Sequence, residues 1–438
     1  MTRTTWRRST AVALALGLAV VGCARNETTT TPSGGSGGST PAGTTAGGGE
    51  AAAPFINPEA DCTSYNGTMG VSGDTIKIGT IRPTSGPYAI YDQVTAGVDA
   101  YFKAVNAKGG IKAGDGKTYK IELIKEDDGY DPARTPGVTK KLVESDQVFG
   151  LVGVIGTESN LSVRQYLNDG CVPNIGLATG STEWGKANQY PWYISALASY
   201  ATEAHGWIEY LKKAKPDAKI ALLYQDDDFG KGYQGALKKG IEGTNLTIVD
   251  EASFSPLGGG TTEAAVTKLS QSNADVFIVG IGGTPCPASL KSIPTTWKPI
   301  TIISITCAGK TALSLAGGAD EGVITAQVTY DPSDPTDKSN ATVTQFVTDA
   351  TAGWGFAAMF DKVIQLSPKV DRATVMNTAF ALKDARFGLV REGVTVNTNG
   401  AEDPWAIEGF RMVQRKSGAW VEVAPIANWE GQSNSFAG

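Results

Sequence analysis

Two glycine-rich segments of the sequence have the residue types of a phosphate-binding loop. In residues 302–311, IISITCAGKT, an apolar β-branched run is followed by a turn and by Gly-Lys-Thr. The backbone amides and the lysine of such a strand–loop–helix turn bind nucleotide phosphates. However, Ser304 stands where the motif requires its first glycine. The second segment, GSTEWGKA at residues 180–187, has Ala187 where a serine or threonine would bind Mg²⁺. We therefore expect no nucleotide site.

Residues for nucleophilic or metal-assisted catalysis are also scarce. The chain has a single histidine, His205, in the helix-like run ATEAHGWIEYLKK, and it is interpreted as a surface or boundary residue. One histidine excludes a multi-histidine metal site and leaves little for Ser–His or Cys–His chemistry. No Gly-x-Ser-x-Gly elbow lies between a predicted strand and a predicted helix. We expect no enzyme activity, no cofactor and no metal.

Residues 1–22 have the pattern of an export signal. Arg3, Arg7 and Arg8 precede the apolar run AVALALGLAVVG, which is too short for a transmembrane helix. The run ends in VVGC, and its cysteine, Cys23, stands where bacterial lipoproteins carry a diacylglyceryl group. The alternative is an ordinary signal peptide whose cysteine is incidental. We predict a lipid-anchored protein on the outer face of the cell membrane.

Residues 23–60 are predicted to form a flexible tether. Threonine, serine, glycine and proline dominate this segment, and it has no periodic apolar face. Such a segment buries too little surface to offset its chain entropy.

The composition after the tether fits a globular protein of two domains. The 378 residues after residue 60 (438 − 60) are enough for two domains, and 41% of the whole chain is hydrophobic. Removing the three arginines of the signal changes the formal charge from −6 to −9 (−6 − 3). A negative charge disfavours nucleic acid as a partner.

Four cysteines remain besides Cys23, namely Cys62, Cys171, Cys286 and Cys307. They form no Cys-x-x-Cys pair, so a zinc site is not expected. An even number in an oxidising compartment predicts two disulfides, for which three pairings exist. We favour Cys62–Cys171 and Cys286–Cys307, because each pair then lies within one domain.

The first half of the remaining chain alternates strand and helix patterns. TIKIGTIR (75–82) predicts a strand, and apolar residues at helical spacing predict a helix from Asp92 to Val105. Strands are predicted at YKIELIKE, VFGLVGVI and VPNIGL, with a helix at about 159–167 and another that starts at Asp131-Pro132.

A second series begins near Ser199. Helices are predicted at TEAHGWIEYLKKA, FGKGYQGALKKGIE, TTEAAVTKLSQS and CPASLKSI, and strands at AKIALLYQ, NLTIVDEASF, ADVFIVGIGG and TIISITC. A helical stretch at 339–368 and two strands in WAIEGFRMVQRKSGAWVEV follow. The two series predict an α/β protein of two doubly wound lobes, each with a mostly parallel sheet.

Glycine and small polar residues collect at the predicted carboxyl ends of the strands. Doubly wound sheets bind ligands at this edge, and two lobes that face each other form a cleft. A helix N-terminus behind Thr157 would favour a carboxylate. The alternative is that these loops are ordinary strand–helix turns. The segments are Ser85-Gly86-Pro87, Gly156-Thr157, Ala178-Thr179, Gly282-Gly283 and Thr306.

Several segments together resemble a known family. They are IKIGTIRPTSGPYAIYDQVTAGVDAYFKAVNAKGGI with DDGYDPA, then NDGCVPNIGLAT, YQDDDFGKG and GADEGV. They are similar to the branched-chain amino-acid type of periplasmic binding protein, the solute receptors of ABC importers. The resemblance covers Ile76 to about Gly409. It implies a type I fold, with three crossings at a hinge between lobe 1 (71–197 plus 329–409) and lobe 2 (198–328 plus 410–438).

The resemblance also implies ligand-binding roles in lobe 1. Tyr91 matches an aromatic residue that packs on the ligand. Gly156 and Thr157 match a loop that binds the ligand carboxylate, and Ala178 and Thr179 match a carbonyl and hydroxyl pair that holds the amino-acid head group.

In lobe 2 the match is less complete. Phe229 matches an aromatic residue, whereas Gly282 or Gly283 stands where relatives carry a tyrosine, which implies a larger pocket. Tyr130, in lobe 1, stands at one position of a disulfide of the relatives, a departure that favours pairing Cys62 with Cys171.

The main departure concerns charge. Relatives that bind amino acids place an acid of lobe 2 on the ligand ammonium, and Thr306 or Cys307 stands there in this chain. A buried ammonium without a counter-charge costs several kcal/mol. Glu158 or the acidic cluster at 226–228 is a candidate substitute, although the cluster is also interpreted as a solvated loop cap.

We therefore expect a monomeric, lipid-anchored solute receptor for an ABC permease. Its ligand is expected to be a small molecule, namely an amino acid, an amide or an organic or aromatic acid. The alternative is a ligand-sensing lobe of a membrane signalling receptor.

Overall fold

The computed structural model describes residues 55–256, 258, 261–331, 334, 337, 343 and 351–438. The predicted signal peptide, Cys23 and most of the predicted tether lie outside this range, as does the first part of the helical stretch predicted at 339–368. Within the described part of the chain, no helix is long and apolar enough to cross a membrane.

The described residues form fourteen strands in two sheets of seven. The first sheet contains β1 Val71–Ser72, β2 Thr75–Arg82, β3 Ile111–Lys112, β4 Thr118–Asp127, β5 Gly150–Val152, β6 Asn174–Leu177 and β7 Tyr193–Ser195. The second sheet contains β8 Lys219–Gln225, β9 Thr247–Phe254, β10 Val276–Gly280, β11 Ile300–Ile303, β12 Ile324–Gln327, β13 Gly409–Lys416 and β14 Ala419–Asn428.

Both sheets are doubly wound. The strand order is β3-β4-β2-β5-β6-β7 in the first, with β1 on β2, and β14-β13-β12-β11-β10-β8-β9 in the second. The central strands are parallel, and β1, β3, β13 and β14 are antiparallel additions. The winding reverses between β2 and β5 and between β8 and β10. These are the switch points where doubly wound sheets bind ligands.

Helices cover the sheets, and the chain passes between the two sheets three times. Beyond β12 it returns to the first sheet, where the helix Thr351–Leu366 packs against Asp92–Ala107, and it re-enters the second sheet at β13. The helices are Pro58–Asp61, Asp92–Ala107, Thr135–Lys140, Thr157–Asp169, Tyr200–Ala214, Asp228–Gly240, Glu263–Ser270, Pro285–Lys291, Lys310–Leu315, Thr351–Leu366, Arg372–Ala379 and Ser433–Phe436.

Two local predictions in the first half of the chain were wrong. No helix starts at Asp131: its carboxylate accepts the amide of Ala133 (2.9 Å) and closes a turn, so the helix begins at Thr135. The strand predicted at VFGLVGVI ends at Val152, because Gly153 and Gly156 turn the chain at φ values of +67° and +99°.

The favoured disulfide pairing is confirmed. Cys62 and Cys171 are bonded, with 5.7 Å between their Cα atoms, and join the N-terminal segment to the end of the helix Thr157–Asp169. Cys286 and Cys307 are bonded, with 6.2 Å between Cα atoms, and join the helix Pro285–Lys291 to the turn after β11.

Candidate functional site

A cavity of about 700 Å³ lies between the loops at the carboxyl ends of the two sheets. It runs from these loops to the segment after β12, where the chain crosses between the sheets. Its apolar wall includes Tyr91, Tyr130, Tyr200, Phe229, Phe356 and Phe387. Its polar wall includes Gln93, Thr306, Lys310, Thr311, Ser314 and Gln327.

Most of the sequence-predicted site residues surround this cavity. Those that line it are Tyr91, Gly156, Ala178, Phe229 and Thr306. Gly283 lies one residue behind the lining residue Gly282. Thr157 and Thr179 are absent from the lining and lie deeper in the protein.

The side chains of Thr157 and Thr179 are hydrogen-bonded to each other. Their hydroxyls are 2.6 Å apart, and the two residues are 1% and 0% exposed. The Tyr200 hydroxyl approaches Thr179 Oγ1 at 3.5 Å, and Tyr200 itself lines the cavity. In this conformation Tyr200, rather than Thr179, presents its side chain to a ligand.

Tyr130 fills the space next to Gly156. Its ring stacks on Tyr88 with centroids 4.0 Å apart and planes inclined by 5°. A methyl group at residue 156 would come within 2.9 Å of Tyr130 Cε2, so the ring requires glycine there. Tyr130 itself has a φ of +64°, which is uncommon for a large side chain.

Contacts across the mouth of the cavity join the loop after β2 to the second sheet. The Tyr91 hydroxyl accepts the amide of Gly283 (2.8 Å) and donates to the carbonyl of Thr306 (3.3 Å). The Tyr88 hydroxyl donates to Gln225 Oε1 (2.7 Å). The described conformation is therefore closed at this edge.

The acids near the mouth do not line the cavity. Glu158 Oε1 accepts the amide of Asp228 (2.7 Å), and Asp227 accepts the amide of Gly230 as the N-cap of its helix. Burial, reinforced by the neighbouring acids, raises the pKa values of Glu158 and Asp227. Neither these two residues nor Asp226 and Asp228 belong to the lining, so they offer no ammonium partner in this conformation.

Behind Thr306 lies a chain of hydrogen bonds that ends at a buried carboxyl group. Glu203 is 1% exposed; its Oε1 accepts the amide of Ile305 (2.7 Å), and its Oε2 lies 2.5 Å from the Tyr233 hydroxyl. The hydroxyls of Tyr233 and Thr306 each lie 2.8 Å from Ser304 Oγ. No cation in the described part of the chain acts on Glu203, and burial raises its pKa to about 8.

The charge of Glu203 sets the direction of this chain, because each hydroxyl has one proton. When Glu203 is ionised, Tyr233 donates to it, Ser304 donates to Tyr233 and Thr306 donates to Ser304, so Thr306 offers the cavity only lone pairs. When Glu203 is neutral, its proton lies on Oε2, since Oε1 accepts an amide. All three bonds then reverse, and the Thr306 proton is free for the cavity.

On the opposite wall of the cavity, the side chain of Gln327 is held by two arginines. Gln327 Oε1 accepts from Arg391 Nη2 (2.9 Å), Arg411 Nε (2.8 Å) and Arg411 Nη2 (2.6 Å). Arg391 also pairs with Asp337 and lies over the ring of Tyr330, with Cζ 4.6 Å from the centroid. Gln327 lines the cavity, whereas neither arginine does.

Three carboxylates lie close together elsewhere in the fold. The ligand atoms of Asp403, Glu408 and Glu430 lie within 4.8 Å of one another. Glu408 already accepts the amides of Gly431 and Ser433, and burial raises the pKa of Asp403 to about 7. None of the three lines the cavity, and we assign them no ligand.

The site residues that sequence reasoning missed include Tyr88, Tyr200, Glu203, Gln327 and Arg391. Glu203 had a detectable signal, because it shares a helix face with Tyr200 and Trp207, where an acid is unexpected. Gln327 and Arg391 are 64 residues apart in sequence, so no local pattern connects them.

Comparison with known proteins agrees with this architecture. A model of the periplasmic binding protein family matches residues 75–416. The chain is 29% identical over 209 residues to Leu/Ile/Val-binding protein homolog 3 of Brucella melitensis, a match that covers 47% of this chain and 54% of that protein. The chain thus spans about half the length of this curated relative.

Two solved structures share the fold at 18% sequence identity. A branched-chain amino acid ABC transporter protein from Thermus thermophilus with bound valine has a TM-score of 0.70, covering 82% of this chain and 97% of that one. A fatty acid ABC transporter substrate-binding protein from Thermomonospora curvata has a TM-score of 0.69, covering 84% and 96%. At this identity the likeness shows the fold alone. The family model covers most of the chain and agrees with the two-lobed fold, and the chain belongs to the periplasmic binding protein family.

Proposed function

We propose that this chain is an extracytoplasmic receptor that captures a small organic molecule between its lobes and delivers it to an ABC importer. The favoured ligand has an apolar body and an amide or carboxylate group. An α-amino acid is the less favoured ligand.

The observation that carries this proposal is the composition of the cavity wall. Aromatic and aliphatic side chains dominate it, and its second-lobe face has neutral Thr306 where relatives are expected to carry an acid. Glu158 and Asp227 lie outside the lining, so the expected substitutes for that acid are not in place. An ammonium beside Thr306 would lose its hydration without gaining a counter-charge from Glu158 or Asp227.

The comparisons support the receptor class and leave its ligand open. One protein of the same fold is named for branched-chain amino acids and another for fatty acids, so the fold accommodates both chemistries. A volume of about 700 Å³ lies within the range of pockets that bind drug-sized molecules.

A ligand panel tests the proposal. The purified protein is heated with leucine, valine, leucinamide, 3-phenylpropanoate and octanoate, and its melting temperature is recorded. We expect the amide and the two acids to raise the melting temperature more than the amino acids do, because a ligand that binds only the folded state stabilises it. Stabilisation by leucine and valine alone would contradict the proposed ligand class.

The importer partnership needs a test in cells. Deletion of the gene is expected to abolish high-affinity uptake of the stabilising compound, and the wild-type gene should restore it. Unchanged uptake together with an altered transcriptional response to the compound would favour a sensor.

We also propose that Cys23 carries the lipid anchor. A Cys23→Ser chain is expected to leave the membrane fraction and to lose labelling by radioactive palmitate. Retention of both properties would contradict a lipoprotein.

A further inference from the structure

We propose that Gln327 forms a ligand subsite at the hinge end of the cavity, which binds a carbonyl or carboxylate oxygen of the ligand. The inference deepens the proposed function and rests on it. Gln327 is the last residue of β12, directly before the chain crosses to the first lobe. Its side chain is 8% exposed and lines the cavity.

The orientation of the Gln327 amide is fixed by its partners. A guanidinium group has only donors, so the atom that receives three N–H bonds from Arg391 and Arg411 must be the amide oxygen. Rotation of the amide by half a turn would place its NH₂ group against two cations. The nitrogen Nε2 is therefore held on the side away from both arginines.

That nitrogen is an unused donor. The Gln327 Oε1 atom has three hydrogen bonds, and within the described residues Nε2 has none. Because Gln327 lines the cavity, an acceptor atom of a bound ligand can take a hydrogen bond from Nε2.

The charges behind Gln327 favour an oxygen with negative character. Arg391 is paired with buried Asp337, and Arg411 has a longer pair of 3.4 Å with Glu422, whose side chain is 47% exposed. Both guanidinium groups polarise the amide of Gln327, a residue that lines the cavity. Asp331 also lines the cavity nearby, which tempers the preference for a full charge and keeps a neutral carbonyl in the class.

The rest of the hinge end defines the body of the ligand. Phe356, Phe387, Val390 and Ile407 line it. An oxygen on Gln327 with a hydrocarbon portion against these side chains satisfies both parts of the wall. The ligand class that fits this end of the cavity is therefore an apolar amide or an apolar carboxylic acid.

The test replaces the donor without changing the shape of the side chain. In Gln327→Glu, both arginines keep an oxygen partner, while Nε2 becomes a second carboxylate oxygen. Octanoate, octanamide and octylamine serve as probes, and their affinities for the full chain are measured by titration calorimetry at pH 7. Gln414→Glu is the matched control, because Gln414 lies on the neighbouring strand β13 and is outside the cavity lining.

We expect the wild-type protein to bind octanoate and octanamide more tightly than octylamine. Gln327→Glu should weaken the first two by about 10- to 100-fold, the range that loss of one buried hydrogen bond produces. The probe that loses more affinity, octanamide or octanoate, carries the kind of oxygen that the subsite prefers. Gln414→Glu should shift all three probes by about the same small factor.

Two results overturn the inference in different ways. If the wild-type protein binds the acid and the amide but Gln327→Glu changes their affinity no more than Gln414→Glu does, the subsite is wrong and the ligand class stands. If none of the three probes binds the wild-type protein, the ligand class and the subsite are both wrong. An unchanged melting temperature of Gln327→Glu verifies that the variant is folded.

Discussion

Two walls of the cavity use the same arrangement with opposite charges. On the Thr306 wall, the carboxyl group of Glu203 lies two hydroxyls behind the surface and orients the hydroxyl that faces the ligand. On the Gln327 wall, the guanidinium groups of Arg391 and Arg411 lie one bond behind the surface and orient an amide. In both places the ligand meets a neutral group.

The difference between the walls lies in the chemistry of the hidden charge. Glu203 titrates, because burial raises its pKa to about 8, so the Thr306 hydroxyl changes from donor to acceptor as the pH rises through that value. Guanidinium groups remain charged in proteins, so the Gln327 amide keeps one orientation. A buried charge therefore gives a wall of switchable or of fixed hydrogen-bonding polarity, according to the pKa of the charged group.

The largest expected effect concerns the fixed wall. Arg391→Met leaves Asp337 buried at 5% exposure without its cation, and breaking such a pair costs about 3–5 kcal/mol of the free energy of unfolding. Urea unfolding measures the loss. Lys238→Met is the control, because Lys238 and its partner Glu251 have side chains that are 50% and 35% exposed and such pairs contribute about 0–1 kcal/mol. Equal losses of unfolding free energy in both variants would contradict the difference between a buried and an exposed ion pair.

The next largest effect concerns the disulfide beside the Thr306 wall. The disulfide Cys286–Cys307 closes a loop with a sequence separation of 21 next to Thr306. Its replacement by two serines should lower the free energy of unfolding by about 3 kcal/mol. The affinity for octanoate should change little, because we place its carboxylate at Gln327 on the opposite wall of the cavity. Chemical denaturation and calorimetry of the double variant, alone and combined with Gln327→Glu, separate the two.

The pH dependence of stability tests the switch itself. The folded-state pKa of Glu203 is about 8, above its ordinary value of 4.5, so the folded state holds the proton more tightly. The resulting stability is present below about pH 4.5 and is lost as the pH rises towards 8, with a full slope of about 1.4 kcal/mol per pH unit. Glu203→Gln should remove this slope, whereas Glu209→Gln on the same helix should retain it. Urea unfolding between pH 5 and pH 9 measures both, and identical slopes would contradict a titrating Glu203.

The smallest effect lies at the mouth, where both lobes meet. Tyr91→Phe removes the acceptor for the Gly283 amide and the donor to Thr306, which should cost the closed form about 1 kcal/mol. Small-angle scattering should show a larger radius of gyration without ligand. Tyr166→Phe is the control, because the Tyr166 hydroxyl is exposed and bonds Glu144 on the surface. An equal radius in both variants would show that Tyr91 does not hold the lobes together.

Part of this molecule was predictable from local sequence. Thr75–Arg82 alternates as a strand and forms one, and the cysteines pair as favoured because each pair lies within a domain. Tyr91 and Thr306 were located by resemblance, and the structure brings both to the cavity.

The rest depends on contacts that sequence patterns do not encode. Thr157 and Thr179 have suitable residue types at strand ends, yet their hydroxyls bond each other and Tyr200 stands in front. The Gln327–Arg411 contact joins residues 84 apart in sequence, and the chain leaves the second sheet and returns to it between them. Such groups are chosen by tertiary packing rather than by local periodicity.

The packing of Tyr130 on Gly156 has a consequence for how this site can change over generations. Any side chain at residue 156 meets the ring, and a smaller residue at 130 removes the stacking partner of Tyr88 and opens a void beside Gly156. A paired exchange would remove the clash but not the strain of a side chain at the φ of +99° that Gly156 adopts. We therefore expect residue 156 to remain glycine among close relatives, whatever residue stands at 130.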